Sequence, residues 1–411
     1  MSVASPVPSH VPADLVVDVD FYHLPGAEQD VFAAWKEQLD HWRTLRDGNS
    51  PLVWTVRNGG HWIAASADAL EELFPDTTNL SNRSISIPSY EGLMIYPGQA
   101  DGEEHAAYRG ALMKQFTPNV VKGLREPIER IATDLINQIE PKGKCDFVAE
   151  FGYRLPIVLF LDMMDLPLSD GEYLLEQAHR TIRSTTDHEK HAALAAIFAY
   201  LAQVVAKRRA DPGDDIISQL HKTQINGEQI SEKAVHSISV NLLIGGLDTV
   251  ASLLGFIMLR LAQDNQARHR FANEPERMDN FLMEMIRRFP ITALARVVAQ
   301  DFSYHGIELK KEDRVFLPTA IHAFDDRKFE RPMDLDLDRT IATTMTFGRG
   351  AHQCLGSYIA RTELAVTLRT WLAHIPDFQL APDAEIRIES GPINAIKSLP
   401  LEWSPAQTAK V

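Results

Sequence analysis

The stretch from Ser231 to about Gln263 sets the scale of anything this chain can build. Ser231 is suited to cap a helix, and the run from Val240 to Leu259 is the most apolar in the chain. At 1.5 Å per residue a helix of this extent is roughly 48 Å long, so it must cross the whole molecule. Asn241, Asp248 and Thr249 make the run too polar for a membrane span, and it reads as a buried helix. Its polar and small residues are not scattered. Asn241, Gly245, Asp248, Thr249 and Ser252 fall along one face, which is unusual for a core helix. Gly245 and Gly246 each cost about 1 kcal/mol in mid-helix relative to alanine. Close approach of a flat ligand or a local bulge has to justify them.

The second constraint lies near the C-terminus, in Thr346-Phe347-Gly348-Arg349-Gly350-Ala351-His352-Gln353-Cys354-Leu355-Gly356. An amphipathic helix follows at once, with Ala360, Leu364, Leu368 and Trp371 on one face. A cysteine at a helix N-terminus meets free N–H groups and the positive end of the dipole. Both are expected to lower its pKa. A thiolate without a redox partner is best explained as a metal ligand.

The chain has 411 residues, and no Gly/Ser- or Pro-rich linker or repeat divides it. We therefore expect an irregular segment over residues 1–30 and one domain over 31–411, large enough to enclose a bulky cofactor. The net charge of -15 argues against nucleic acid and anionic membrane surfaces as partners. Only Cys145 and Cys354 are present, far apart, which is no disulfide framework and fits a reducing cytoplasm. Residues 1–20 lack a secretory pattern, so a cytoplasmic protein is expected; a monomer is expected as well.

In chain order, Val31–Arg46 reads as a helix. Leu52–Arg57 and His61–Ser66 read as a hairpin across Asn58-Gly59-Gly60, and Ser66 as the cap of a short helix through Phe74. Arg83–Pro97 is a long aperiodic loop of the kind that carries function. A helix opens at Gly102 and places His105 and Arg109 on one face. Helical patterns then run from Pro127, over 155–165, 170–185 and 189–209, along the Ser231 helix, and from Pro275 to Phe289. Short strands are expected around 296–304, 307–309, 314–317 and within 376–404. The total is mostly α with a minor β part.

At this point a resemblance emerges. Phe347 to Gly356 resembles the haem-binding loop of the cytochromes P-450. Glu284-x-x-Arg287 resembles their buried ion pair, Gly245-Gly246-Leu247-Asp248-Thr249 their oxygen groove, and His105-x-x-x-Arg109 their propionate-binding helix. The motifs stand in the family's order and spacing, over about residues 31–404. Gly245–Val250, Ile375–Phe378 and Leu399–Leu401 are most similar to the soluble bacterial camphor hydroxylases.

The resemblance implies a single-domain triangular fold, with haem b between the long distal helix and the proximal cysteine-loop helix. It implies a monooxygenase that inserts one atom of O2 into a C–H bond. Electrons would come from a 2Fe-2S ferredoxin and its reductase, because no flavin or nicotinamide fingerprint is present. It implies that Cys354 ligates iron, that Phe347 and Gly245 flank the macrocycle, and that His105, Arg109, Arg296 and His352 meet the propionates. Asp248 and Thr249 would be the acid–alcohol pair that delivers protons. Arg109, Lys114, Arg349 and Arg361 form a candidate basic patch for an acidic ferredoxin. A peroxide-using peroxygenase and a non-catalytic haem sensor are the alternatives; a sensor needs no proton relay.

Three departures from the camphor-type pattern individualise the chain. Leu294 replaces an acidic residue two positions before Arg296. Asp334 falls where a basic residue completes the Glu284–Arg287 pair, and could itself pair with Arg287. Leu93 falls where a tyrosine holds the substrate ketone. Asn241, one turn before Gly245, could supply a replacement amide, with Ile244, Thr292 and Ile393 as further pocket residues. The expected substrate is a small hydrophobic terpenoid, an ionone-like ketone rather than camphor held as in the relatives.

Overall fold

The computed structural model describes residues 2–45, 50–87, 94–184, 186–225 and 227–404. The long helix runs unbroken over Glu232–Gln263. The Ser231 hydroxyl accepts from the Ala234 N–H at 3.2 Å, and at the other end Asp264 caps the next helix, Asn265–Asn273. No bulge interrupts it at Gly245-Gly246, so one of the two explanations for that pair is removed. It is the one helix among the described residues long and apolar enough to cross a membrane, yet 67% of its most apolar window is buried inside the fold. Helices Arg154–Met163, Gly171–Arg183, Asp187–Ala210 and Ser357–His374 pack around it. It is the axis of a mostly α, single-domain triangular molecule.

The β part is concentrated in one six-stranded sheet, ordered Val16–Val17, Leu52–Thr55, His61–Ala64, Arg314–Pro318, Ala293–Val298, Leu80–Ser81. The expected hairpin is there, with Trp54 opposite Trp62. Every residue of its two strands is buried, and the N-terminal segment covers its outer edge. That segment is not wholly irregular: Val16–Val17 pairs in parallel with Trp54 and Thr55. The first helix spans Ala27–Trp42, and the helix expected from Pro127 starts at Arg125. At Asp30 the backbone leaves helical geometry, its carboxylate accepting from the Phe32 and Ala33 N–H groups.

The Glu284–Arg287 pair lies on the helix Met278–Arg288, with both side chains at 0% exposure. Arg287 donates Nε to Glu284 Oε2 at 2.7 Å and Nη2 to Oε1 at 2.8 Å. Here the expectation for Asp334 fails. Arg287 takes the Asp334 backbone carbonyl, at 3.1 Å, and the Asp334 carboxylate faces Arg331 instead. The third, basic member of the network is Arg339, whose Nε lies 3.4 Å from Glu284 Oε1. Four residues of irregular chain separate the position inferred by alignment from the residue that reaches the pair.

Glu363 is the other buried glutamate among the described residues, on the helix Ser357–His374 and 3% exposed. Its Oε1 and the Thr367 hydroxyl one turn later have no hydrogen-bond partner. Burial alone pushes the Glu363 carboxyl up to about 8. A raised carboxyl pKa favours the protonated fold, so stability is lost as pH rises from the unfolded value near 4.5 to the folded one near 8. The loss is about 3 kcal/mol by neutral pH. Glu363→Gln is therefore expected to raise the melting temperature at pH 8 and leave it unchanged near pH 4.5. An equal shift at both pH values contradicts this account.

Candidate active site

The cysteine loop is built by backbone bonds and two glycines. Thr346 is fixed by its hydroxyl on the Ile286 carbonyl at 2.9 Å. Gly348 and Gly350 take φ of +68° and +78°, conformations that side-chain-bearing residues rarely adopt. A Cβ on Gly350 would also stand 2.7 Å from the Pro75 Cα. The loop closes where the Cys354 N–H donates to the Phe347 carbonyl at 2.8 Å, and the helix begins at Ser357. Cys354 is an exposed residue, yet the protein packed around its sulfur pushes the thiol pKa up. The N–H groups of Gly356 and Ser357 and the Arg109 guanidinium pull the other way without prevailing. The helix-terminus effect expected from sequence is present, but desolvation outweighs it. A metal that binds the thiolate must displace this proton.

Four basic groups converge beside the loop. Arg296 sits in the middle of the sheet, opposite Val315, and is 2% exposed. It donates Nη1 to the carbonyl of its neighbour Ala295 at 2.8 Å. Burial lowers its pKa to about 10, with Asp101 opposing. His105 and His352 lie with ring centroids 3.8 Å apart. Burial, the other imidazole and Arg296 together hold His352 down to about 3. Arg109 donates to the Gln353 carbonyl at 2.7 Å. The one nearby acid, Asp101, is already committed to Ser81 and to the Asn82 N–H. Arg296 is a buried cation with no ion-paired carboxylate among the described residues, which is costly, so this cluster suits an added anion.

The long helix offers the opposite wall. Gly245 and Gly246 are exposed although the helix is a core element, and a Cβ on either would meet nothing within 4 Å. Packing within the protein therefore does not require glycine there, which leaves close approach of a flat group as the reason. Thr249 donates its hydroxyl to the Gly245 carbonyl at 3.0 Å. Asp248 turns to the other side and is fully buried. Arg183 Nη2 contacts both its oxygens, at 2.7 and 2.6 Å, and Nε donates to Oδ1 at 3.2 Å. Arg183 also reaches Ser252 and Glu389, and Glu389 pairs with the exposed Lys397. Burial acts to lower the Arg183 pKa, but Asp248, Tyr153 and Glu389 more than offset it and keep it charged. Sequence reading missed Arg183, which lies 65 positions from its partner. The single polar face expected from sequence is divided: Asp248 and Ser252 both meet Arg183, whereas Thr249 bonds back to Gly245.

Of the pocket candidates, Leu93 lies outside the described residues. Thr292 and Ile393 are brought together by a β-bridge. The Thr292 hydroxyl is spent on the Thr346 carbonyl at 3.0 Å. Asn241 and Ile244 are half-buried, and among the described residues the Asn241 amide has no hydrogen-bond partner. Its Oδ1 lies against Gly98, 3.5 Å from where a Cβ would be. The expected basic patch is smaller than anticipated. Lys114 and Arg349 are exposed, whereas Arg109 faces the cysteine loop and Arg361 is half-buried with a buried Nε lacking a partner.

A flat dianionic group with a metal at its centre satisfies each of these features together. Among the described residues no cluster of three or more His, Cys, Asp or Glu is placed to hold a metal. A lone thiolate thus suits a metal that brings its own macrocycle. Glycines open one wall, Cys354 stands on the other, and Arg296, Arg109, His105 and His352 fit two carboxylates. Such a site fits a haem-thiolate oxygenase, whose fold implies haem b held by a cysteine thiolate.

The chain belongs to the cytochrome P-450 family, whose sequence profile matches residues 172–392. Within the family it is similar to the CYP101 group. It is 37% identical to CYP101C1, whose structure superposes with a TM-score of 0.87 over 97% of this chain and 100% of that one. The values for CYP101J2 are 33% identity and a TM-score of 0.88 over the same shares. A probable cytochrome P-450 127A1 of Sinorhizobium fredii is 28% identical over 97% of each chain.

Proposed function

We propose that this monooxygenase hydroxylates a small, hydrophobic, terpenoid-like substrate bearing one hydrogen-bond acceptor, such as an ionone-like ketone. The observation that carries this reading is the Asn241 amide, unpartnered among the described residues, half-buried and one turn before Gly245. Ile244 and Ile393 supply apolar surface, and Thr292 has already spent its donor. Asn241 is therefore the free donor in that set, and one amide orients one carbonyl or hydroxyl.

Haem, when bound, supplies the oxygen-activation chemistry, and the thiolate of Cys354 favours O–O cleavage over reversible oxygen storage. The protein's part is proton handling and positioning. Thr249 Oγ1 presents a hydroxyl over the glycine gap. Asp248 carries a proton inward after releasing Arg183, whose chain of charges leads through Glu389 to solvent. This network favours an oxygenase over a sensor. Electrons come from an acidic 2Fe-2S ferredoxin and its reductase in the cytoplasm, docking by the exposed Lys114 and Arg349. The two free cysteines fit that reducing compartment. The enzyme works as a monomer.

The test is a titration of the ferric holoenzyme, following the Soret shift, with β-ionone and with its carbonyl-free hydrocarbon. Asn241→Leu is expected to weaken the ketone about tenfold relative to the hydrocarbon, the worth of one hydrogen bond. Equal weakening of both ligands removes Asn241 from recognition. Camphor producing the same shift and turnover as the ketone removes the substrate class.

A further inference from the structure

Ser237 lies on the long helix one turn before Asn241 and is 3% exposed. A serine inside a helix commonly turns its hydroxyl back to the carbonyl four residues earlier, as Ser239 does to Val235 at 2.8 Å. Ser237 does not. Its hydroxyl accepts from the Tyr96 N–H at 2.8 Å and donates to the Met94 carbonyl. Both partners are backbone groups of the segment that ends the long loop. That segment is also braced internally. Gln99 accepts the Ile95 N–H at 2.7 Å and returns its own N–H to the Ile95 carbonyl at 2.9 Å. Asn82 donates to the Gly98 carbonyl at 3.4 Å.

The clamp brings Gly98 against Asn241, close enough that a Cβ on Gly98 would touch the amide oxygen at an ordinary contact distance of 3.5 Å. Ser237, Asn241, Gly245 and Thr249 follow one another at steps of four residues, each about 6 Å further along the helix axis. The order down this face is loop anchor, free amide, open glycine, hydroxyl.

We infer that Ser237 is a positioning residue: by fastening residues 94–98 to the helix it fixes the wall beside Asn241, and so selects which carbon of an oxygen-bearing substrate is presented at Gly245. This rests on the reading of Asn241 as the substrate-facing amide, and the experiment separates the two. The holoenzyme and its Ser237→Ala and Ser237→Thr variants are compared in two measurements. Hydrogen exchange is followed in the peptide covering residues 94–100, and the ratio of hydroxylated products from β-ionone is determined.

Ser237→Ala is expected to speed exchange of that peptide and to lower the major-to-minor product ratio, each about five- to tenfold. Ser237→Thr, which keeps the hydroxyl, restores both. Unchanged exchange in Ser237→Ala overturns the clamp. Faster exchange with an unchanged product ratio overturns the positioning role. The Asn241→Leu titration decides the amide separately: a lost ketone preference there, beside an unchanged product ratio in Ser237→Ala, leaves Asn241 standing and Ser237 refuted.

Discussion

Asp248→Asn is expected to slow product formation by about 10²- to 10⁴-fold, the usual worth of a positioned proton-transfer group. The substitution preserves shape and keeps one oxygen to accept from Arg183, so it tests the charge and the exchangeable proton more than the packing. An amide cannot accept a proton from Arg183's side and hand it on toward Thr249. Stability should fall as well, because Arg183 is 13% exposed and loses its principal counter-ion. The remaining carboxylate, Glu389, lies 3.3 Å from Nη1 and limits that loss. The measurement is coupled NADH consumption and product formation with a ferredoxin system, together with the spectrum of the reduced carbon monoxide adduct. An intact thiolate spectrum with a large solvent isotope effect identifies a proton-delivery defect. A rate within threefold of the parent enzyme excludes Asp248 from the relay.

Glu284→Gln is expected to cost about 3–5 kcal/mol of stability without any direct effect on substrate. Arg287 is at 0% exposure and has no other carboxylate in contact. Its three carbonyl partners, Ala323, Pro332 and Asp334, satisfy N–H groups but not charge. The same substitution disrupts the acceptor of the Asp336 N–H at 3.0 Å and of Arg339. The network spans the polar stretch that precedes the cysteine loop, so haem retention should fall with the melting temperature. Thermal melts of holoenzyme decide the matter. A shift of less than about 1 kcal/mol equivalent contradicts the account, since removing one partner of a buried pair leaves the other uncompensated.

What could be read from sequence was local. The long helix was legible to within a residue, because Ser231 and the apolar run mark it without reference to anything distant. The cysteine loop was legible because its glycines answer to local φ angles and to one neighbour, Pro75. Failures came where distant chain or burial decided the outcome. Arg339 reaches Glu284 from a stretch with no periodicity to align. Arg183 finds Asp248 across a helix pairing that no motif announces. The pKa of Cys354 has the wrong sign from sequence, because a helix N-terminus is visible in residue order and desolvation is not. Ser237 looked like any helical serine, and its departure from the usual carbonyl four residues back shows only once the loop is in place.

The glycine pair at the midpoint of the long helix has a cost that falls before the enzyme is complete. Two residues of poor helix propensity face open space on the polypeptide side, so nothing within the chain holds that turn as firmly as the turns on either side. Local opening there costs less than elsewhere along the helix until a flat group lies against it. Binding of a flat group against Gly245 and Gly246 is therefore expected to stiffen the longest element at its centre.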